Sequence, residues 1–187
     1  MYSFHNFNYL NDNEKKQVLD LRNELYIRKW MFDSQAISWD QHINFFKQLK
    51  SDETKMYFFV KRNDFFIGVY SITDIKNYSG QGGFYISLEA ANKKLAVEFI
   101  FHSIKYIFEY TNIEKIYGLE DVNNKNAFTI NRLFGFYDRH KDSIREINGL
   151  NYRYGELVNT DFNGIAESPK VDALIKYSQS IIYKFNE

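Results

Sequence analysis

The fold is decided by residues 82–136, which read GGFYISLEAANKKLAVEFIFHSIKYIFEYTNIEKIYGLEDVNNKNAFTINRLFGF. The aromatic and branched residues of 82–87 predict a strand, and so do those of 113–119. Between these strands, residues 95–108 are apolar nearly all round, which is typical of a helix buried on more than one side. A short helix is predicted at 124–133, just before a Gly-Phe pair. The stretch therefore predicts a strand–helix–strand–helix unit.

Two helices and two strands are predicted before this unit. A cap cluster at 11–14 and a capping-box sequence at 38–41 each begin an amphipathic helix. Residues 56–61 and 65–75 then predict two short strands around a tight turn. A polar loop is expected at 76–81, so the third strand would begin at residue 82.

Two strands and a helix are predicted after the unit. Residues 136–147 and 150–158 indicate strands joined by Asn148-Gly149, a pair typical of a two-residue hairpin turn. Ser168-Pro169 favours a helix start, and an apolar stripe continues from there to Phe185. The order α, α, β, β, β, α, β, α, β, β, α predicts an α+β fold. Its central sheet should be mixed and mainly antiparallel, flanked by helices, with an extra helix at the C-terminus.

Composition excludes several classes of protein. The 187 residues suffice for one domain, and 18 Phe, 15 Tyr and 2 Trp argue against disorder. Basic and acidic residues both number 24, so no bulk charge drives binding to nucleic acid or acidic membranes. The absence of Cys excludes disulfides and thiol nucleophiles. With no long apolar run and no signal-peptide pattern, the sequence predicts a cytoplasmic protein. Dinucleotide and P-loop sites have no supporting motif.

Two groups of residues resemble the GNAT acyltransferases. Residues 124–136, with Asn124, Ala127 and a closing Gly-Phe, are similar to the family's N-x-x-A…G-F segment beside the cofactor. A set of residues in the N-terminal half resembles the PseH branch of the family, in the same order along the chain. These residues are Arg22-Asn23, Trp30-Met31-Phe32, Ile37-Ser38, His42, Tyr57-Phe58 and residues 67–73. The resemblance covers roughly residues 10–158. It implies an N-acetyltransferase that uses acetyl-CoA as co-substrate.

The resemblance also implies an acceptor and a domain plan. Members of the PseH branch act in pseudaminic acid biosynthesis on a nucleotide-linked sugar of the UDP-4-amino-4,6-dideoxy-N-acetyl-altrosamine type, by direct transfer in a ternary complex. The GNAT domain would span 1–160. Residues 161–187 would form a helical extension, packed on the domain or on a second subunit of a homodimer.

The cofactor site implied by the resemblance departs from the family pattern. The family's pyrophosphate loop, R/Q-x-x-G-x-G/A, falls on residues 91–96, which contain no Gly, so Lys93 and Lys94 would supply positive charge there instead. A backbone N–H of Tyr85 or Ile86 would polarise the thioester carbonyl. The implied cofactor-binding residues are Tyr85, Ile86, Leu88, Lys93, Lys94, Leu95, Ala96, Asn124 and Ala127.

The implied acceptor-binding residues are Arg22, Trp30, Met31, His42, Ser71 and Thr73. Each also has an ordinary structural interpretation: Arg22 can lie along a helix surface, the aromatic loop can be core, and Ser71 and Thr73 can face solvent. The next residue, Asp74, is acidic where the PseH pattern is basic. Its side chain would therefore contact a different group of the acceptor.

Three catalytic residues are implied: Glu120, His42 and Asn131. Glu120, His42 or an ordered water would remove the proton of the amine. Asn131 stands where the family usually has the Tyr that protonates the thiolate, and an amide cannot deliver a proton. No pattern indicates a metal site. Two alternatives stay open: a GNAT enzyme for another amine, such as a protein N-terminus or a polyamine, and a GNAT-fold binding protein without catalysis.

Overall fold

The computed structural model describes residues 1–137, 144–169, 171–173 and 175–176. Seven strands form one sheet in the order β1-β2-β3-β4-β5-β7-β6. Every neighbouring pair is antiparallel except β4 and β5, which run parallel. The predicted α+β class with a mixed, mainly antiparallel sheet is confirmed.

The elements alternate between helices and strands along the chain. The strands are β1 (Tyr2–Asn6), β2 (Met56–Arg62), β3 (Phe65–Lys76), β4 (Ser79–Ile86), β5 (Lys115–Asp121), β6 (Ile144–Ile147) and β7 (Leu150–Val158). The helices are α1 (Asp12–Asn23), α2 (Leu25–Arg28), α3 (Trp39–Leu49), α4 (Leu88–Asn92), α5 (Ala96–Tyr110), α6 (Lys125–Leu133) and α7 (Asn159–Ala166).

Local signals in the sequence account for several element boundaries. Asn11 begins α1 and Ser38 begins α3, each through a complete capping box. Asn148 and Gly149 have φ angles of 52° and 76°, as a two-residue turn with both residues left-handed requires. The predicted β6–β7 hairpin is therefore confirmed at its turn.

Other elements differ from the prediction. The sequence analysis missed β1, α7 and the short helices α2 and α4. The expected polar loop at 76–81 is a two-residue turn, since Asn77 and Tyr78 both take positive φ and β4 starts at Ser79. The strand predicted at 136–147 is described only as a bridge at Tyr137 and as β6, because residues 138–143 lie outside the described part.

The sheet carries a helical layer on each face. On one face α5 packs into a core with Ile67, Ile72 and Ile116, all fully buried. On the other face α1 and α3 cover a smaller cluster that includes Phe59 and Val69. Because side chains alternate along a strand, each strand contributes to both cores. These two faces are called the α5 face and the α1–α3 face below.

The chain beyond β7 returns to the α5 face. Phe162 of α7 is 2 % exposed and Val171 is 1 % exposed, and both belong to the α5-face core. The predicted helix from Pro169 to Phe185 lies mostly outside the described residues; those that are described, 169, 171–173 and 175–176, are helical. The division of the chain into a domain of residues 1–160 and an extension of residues 161–187 stays a prediction. Within the described ranges, no helix is both long and apolar enough to cross a membrane.

His102 on α5 predicts acid sensitivity of the fold. Its ring stacks on that of Tyr2 at 4.5 Å, and burial, with nearby positive charges, lowers its pKa from 6.5 to about 4. The unfolded chain therefore takes up a proton between pH 6.5 and 4 that the folded chain does not, so stability falls as pH falls through this window. We expect His102→Phe to flatten the decline of the thermal midpoint across this range. An unchanged slope in the variant would contradict this assignment.

Candidate active site

A gap opens in the sheet between β4 and β5. Their parallel pairing covers only Ser79–Gln81 of β4 and ends at the pair Gln81–Tyr117. β5 continues to Asp121, paired with β7 throughout, and β4 continues to Ile86, paired with β3. The two strands therefore splay apart beyond Tyr117 and leave one edge of β4 without a strand partner.

Backbone groups alternate in direction along β4, because alternate residues of an antiparallel strand face the same neighbour. The N–H of Ser87 donates to the carbonyl of Ile67 at 2.8 Å, and the carbonyl of Gly83 accepts from the Ser71 hydroxyl at 3.3 Å. Odd-numbered residues of this segment, including Tyr85, therefore direct their backbone groups to β3.

Even-numbered residues of β4 face the gap. The backbone N–H groups of Phe84 and Ile86 therefore line the open edge, beyond the last pair of β4 with β5. Tyr85 is thus wrong as the predicted carbonyl-polarising donor, since its backbone faces β3. Ile86, the other residue named from the sequence, keeps this role as a prediction.

The loop after β4 keeps a glycine-like backbone without a glycine. Lys94 occupies the fourth position of the 91–96 segment, where the family pattern has Gly, and its φ is +60°. Ala96 fits the pattern's last position and begins α5. This helix has no side-chain cap, unlike α1, α3, α4 and α6. Its first N–H groups, those of Ala96 and Val97, are therefore in the position where helices bind anions.

Three residues predicted to contact the cofactor are engaged elsewhere. Leu95 is 2 % exposed in the core, and its N–H donates to Ala90 at 3.0 Å. Lys93 pairs with Glu89 at 2.8 Å, with its amine 4.5 Å from the centre of the Phe65 ring. The N–H of Leu88 donates to the Tyr26 hydroxyl at 3.0 Å. The short helix α4 causes the first two differences, because its carbonyls and Glu89 satisfy these groups.

Asn124 and Ala127 begin α6 beside the gap. The Asn124 side chain accepts the Ala127 N–H at 3.1 Å, so this oxygen caps the helix. α6 contributes no fully buried residue, although Ile130 and Leu133 pack against the core. Its apolar side is thus only partly covered by protein.

Glu120 and Asn131 form a direct pair between β5 and α6. The Asn131 amide donates to the Glu120 carboxylate at 2.7 Å. Burial raises the pKa of Glu120, whereas the Asn131 hydrogen bond and the charges of Arg153 and Arg132 partly offset that rise. The two side chains line a cavity of about 20 Å³, which is enough for one water. A half-buried carboxylate beside a water site is suited to accept a proton.

The α1–α3 face of the gap carries the side chains expected to meet an acceptor. Ser71 and Thr73 lie on this face with Tyr57 and Tyr85, since Tyr57 pairs with Ser71 and Tyr85 lies opposite Val69. Ser71 and Thr73 are half-buried. They therefore lie on one face as predicted. Their contact with an acceptor stays a prediction.

Arg22 and Arg28 carry buried nitrogen atoms that have no hydrogen-bond partner among the residues that the structure describes. Arg22 donates through Nη2 to the Asp33 carbonyl at 2.9 Å, but its Nη1 is buried and unpartnered, and so is Nε of Arg28. Burial lowers the pKa of Arg22; Tyr85 and Asp33 oppose this, and the like charge of Arg28 adds to it. Each unpartnered buried donor costs roughly 1–3 kcal/mol. A bound anion would accept hydrogen bonds from these two donors and offset the repulsion between the two cations.

His42 does not face the gap. It is 4 % exposed, its Nε2–H donates to the Lys15 carbonyl at 2.9 Å, and its ring meets that of Phe46 at 4.9 Å. Burial is the main cause that lowers its pKa. The residue joins α3 to α1, so its predicted roles as base and acceptor ligand are wrong. Its position was misjudged because it was assigned to the polar side of α3.

The loop between α2 and α3 crosses toward β7. Trp30 is 39 % exposed and Met31 is half-buried. Phe32, which follows them, packs on Tyr152 with ring centres 5.1 Å apart. Asn23 fixes the loop end through two 2.8 Å hydrogen bonds with Ile37. The sequence analysis missed Tyr152 and Arg28, which no sequence motif marked.

The chain resembles known acetyltransferases in sequence and fold. No protein-family model matches it. It is 29 % identical over 146 residues to acetyltransferase PseH of Campylobacter jejuni strain 81-176, covering 76 % of this chain and 90 % of the relative. The crystal structure of C. jejuni PseH in complex with acetyl coenzyme A gives a TM-score of 0.63 at 24 % identity, covering 85 % of this chain and 99 % of that one.

A second group of solved structures shares the fold. Spermidine N-acetyltransferase from Vibrio cholerae, in complex with CoA and spermine, gives a TM-score of 0.74 at 21 % identity, over 87 % of this chain and 98 % of that one. The strand order of the sheet, the separation of β4 from β5 and the sequence similarity all support the same comparison. The chain is therefore similar in sequence to acetyltransferase PseH and shares the fold of these N-acetyltransferases.

Proposed function

We propose that the chain transfers the acetyl group of acetyl-CoA to the 4-amino group of a nucleotide-linked amino-deoxy sugar. The observation that carries this proposal is the pair Arg22 and Arg28, which carry buried donors without a partner among the described residues, with Arg22 near Tyr85 of β4. A nucleotide diphosphate is the anion that this substrate class brings to such a pair. The 29 % identity to acetyltransferase PseH supports the same class.

The residues of the gap fit acetyl-CoA. The open N–H groups of Phe84 and Ile86 can donate hydrogen bonds to the amide carbonyls of a pantetheine arm. The uncapped start of α5 can bind a pyrophosphate. The left-handed Lys94 keeps the loop shape that Gly gives in the family. The bound co-substrate supplies an activated thioester.

The chain's own residues then position and deprotonate the amine. A β4 N–H in the gap donates to the thioester carbonyl, whose carbon the amine attacks. The C–S bond then breaks, and CoA leaves as a thiolate that takes a proton from water. Glu120 takes the proton of the amine through the water that its cavity can hold. Asn131 keeps the carboxylate in place through their 2.7 Å hydrogen bond and does not itself deliver a proton.

Thiol release from acetyl-CoA tests the proposal. The acceptors are UDP-4-amino-4,6-dideoxy-N-acetyl-altrosamine, spermidine and a peptide with a free N-terminus. We expect the nucleotide sugar to have the highest kcat/KM. Arg28→Ala should raise its KM by about tenfold or more, because a hydrogen bond to a charged group is worth ~1.5–3 kcal/mol. The KM for acetyl-CoA should stay within about twofold.

A matched control and two contrary outcomes sharpen this test. Lys29→Ala removes the neighbouring cation, whose amine lies 5.1 Å from the centre of the Trp30 ring, and should leave the KM unchanged. If spermidine is the preferred acceptor and Arg28→Ala has no effect, the acceptor class is a polyamine and the nucleotide-sugar proposal is rejected. No thermal shift with millimolar acetyl-CoA would leave a binding protein of this fold as the better account.

A further inference from the structure

A β-bulge turns Asp74 onto the α1–α3 face. The register between β3 and β4 shifts between Thr73 and Lys76. Ile72 and Ile75 both pack on the α5 face, although they are three residues apart. Strict alternation would place Asp74 with Ile72 on the α5 face. The extra residue of the bulge instead leaves Thr73 and Asp74 together on the opposite face.

Asp74 is held in this position by an unusual backbone and by a tyrosine. Its φ is +51°, a left-handed conformation that is unfavourable for most residues with a side chain, though Asp tolerates it better than most. The Tyr117 hydroxyl donates to its carboxylate at 2.5 Å. Local strain of this kind recurs at functional sites.

The position of Tyr117 places Asp74 at the narrow end of the gap. Tyr117 lies opposite Gln81 in the last pair before β4 and β5 separate. Thr73 lies opposite the same Gln81 on the other side of β4. Asp74 therefore adjoins the point where an acceptor on the α1–α3 face would enter the gap.

Charge differs between the two ends of this face. Arg22 lies near Tyr85, which is paired with Val69, and Arg28 lies near Arg22. Asp74 lies five residues beyond Val69 along β3. At about 3.3 Å per residue the two ends are about 16 Å apart. In the part of the chain that the structure describes, no basic side chain forms an ion pair with Asp74. One end is therefore cationic and the other presents a carboxylate.

We propose that Asp74 is a specificity-determining residue that accepts a hydrogen bond from a hydroxyl, amide or ammonium group of the acceptor and keeps phosphate away from the narrow end of the site. The proposal rests on the proposed function in so far as the acceptor lies on this face. It assigns the diphosphate of a nucleotide sugar to the Arg22 and Arg28 end. Donor groups of the sugar then point to Asp74.

Calorimetric titration with UDP tests the charge at this position without turnover. Asp74→Lys should add a second UDP-binding event at the narrow end, because a phosphate there gains an attraction where it met repulsion. Asp64→Lys makes the same change of charge in the turn between β2 and β3 and should leave the Kd within about twofold. Asp74→Gly removes the carboxylate at a φ that Gly adopts readily, so the fold is kept.

Turnover gives the second readout. With an acceptor that the wild type uses, Asp74→Gly should raise the acceptor KM about fivefold or more and leave kcat within about twofold. Equal UDP binding by Asp74→Lys and the wild type, or the same gain in Asp64→Lys, would overturn the proposal. Absence of wild-type turnover with every acceptor would instead reject the proposed function, and the UDP titration would still decide the role of Asp74.

Discussion

Glu120→Gln should lower kcat by about 10²–10⁴ while the KM for acetyl-CoA stays nearly constant. The amide keeps the shape and can still bond to Asn131, but it cannot accept a proton, and general base catalysis contributes a factor of this size. Steady-state thiol release at saturating acetyl-CoA measures the effect. The matched control is Glu114→Gln, a change of the same kind just before β5 begins, which should leave kcat unchanged.

The hydrogen bond from Asn131 allows the role of Glu120 as the base to be tested through the pH dependence of kcat/KM. Because this bond lowers the pKa of Glu120, its removal in Asn131→Ala should raise that pKa. Activity that needs the charged carboxylate falls as pH falls through this pKa. The acid limb of kcat/KM should therefore move to higher pH in Asn131→Ala. If the limb stays in place and Glu120→Gln is fully active, the base lies elsewhere, and a group on the α1–α3 face becomes the better candidate.

Periodicity and turn residues were enough to predict most of the fold. The apolar segment 95–108 marked α5, and Asn148-Gly149 marked the last hairpin, because both signals are local. β1 was missed because five residues at an edge carry too little pattern without their partner β2. α7 was missed because its N-cap residue, Val158, has no side chain that can cap a helix.

The candidate site depended more on tertiary register than on motifs. Which N–H groups of β4 face the gap follows from the tight turn at Asn77-Tyr78, and the sequence suggested a longer loop there. A shift of one residue exchanges the two edges of a strand, so Tyr85 and Phe84 could not be distinguished. Glu120 and Asn131 were both named from the sequence, but their contact was not.

The register also explains why His42 was misassigned. Its neighbour Ile43 is apolar, and the sequence pattern predicted that Ile43 faces the core and that His42 faces solvent. In the structure His42 is the buried residue of the two, because its ring packs on Phe46 and bonds to the Lys15 carbonyl of α1. A lone histidine in an amphipathic helix is thus better explained by a backbone partner than by catalysis.

Gly68→Ala should destabilise the protein by about 3 kcal/mol and weaken acetyl-CoA binding with it. A Cβ on Gly68 would lie 2.2 Å from the Tyr85 carbonyl and 2.9 Å from the Ile86 Cα, both backbone atoms. β4 must then move away from β3, and overpacking of this kind costs up to about 3 kcal/mol. The same movement displaces the Ile86 N–H that faces the gap, so the loss of stability and the loss of affinity have one cause. Gly164→Ala is the matched control: this residue lies inside α7 with nothing within 4 Å of its added Cβ, and it should gain about 0.5–1 kcal/mol. Urea unfolding and an acetyl-CoA titration of both variants measure the two effects. A Gly68→Ala protein with wild-type stability and affinity would show that β3 and β4 are not packed as closely as this geometry requires.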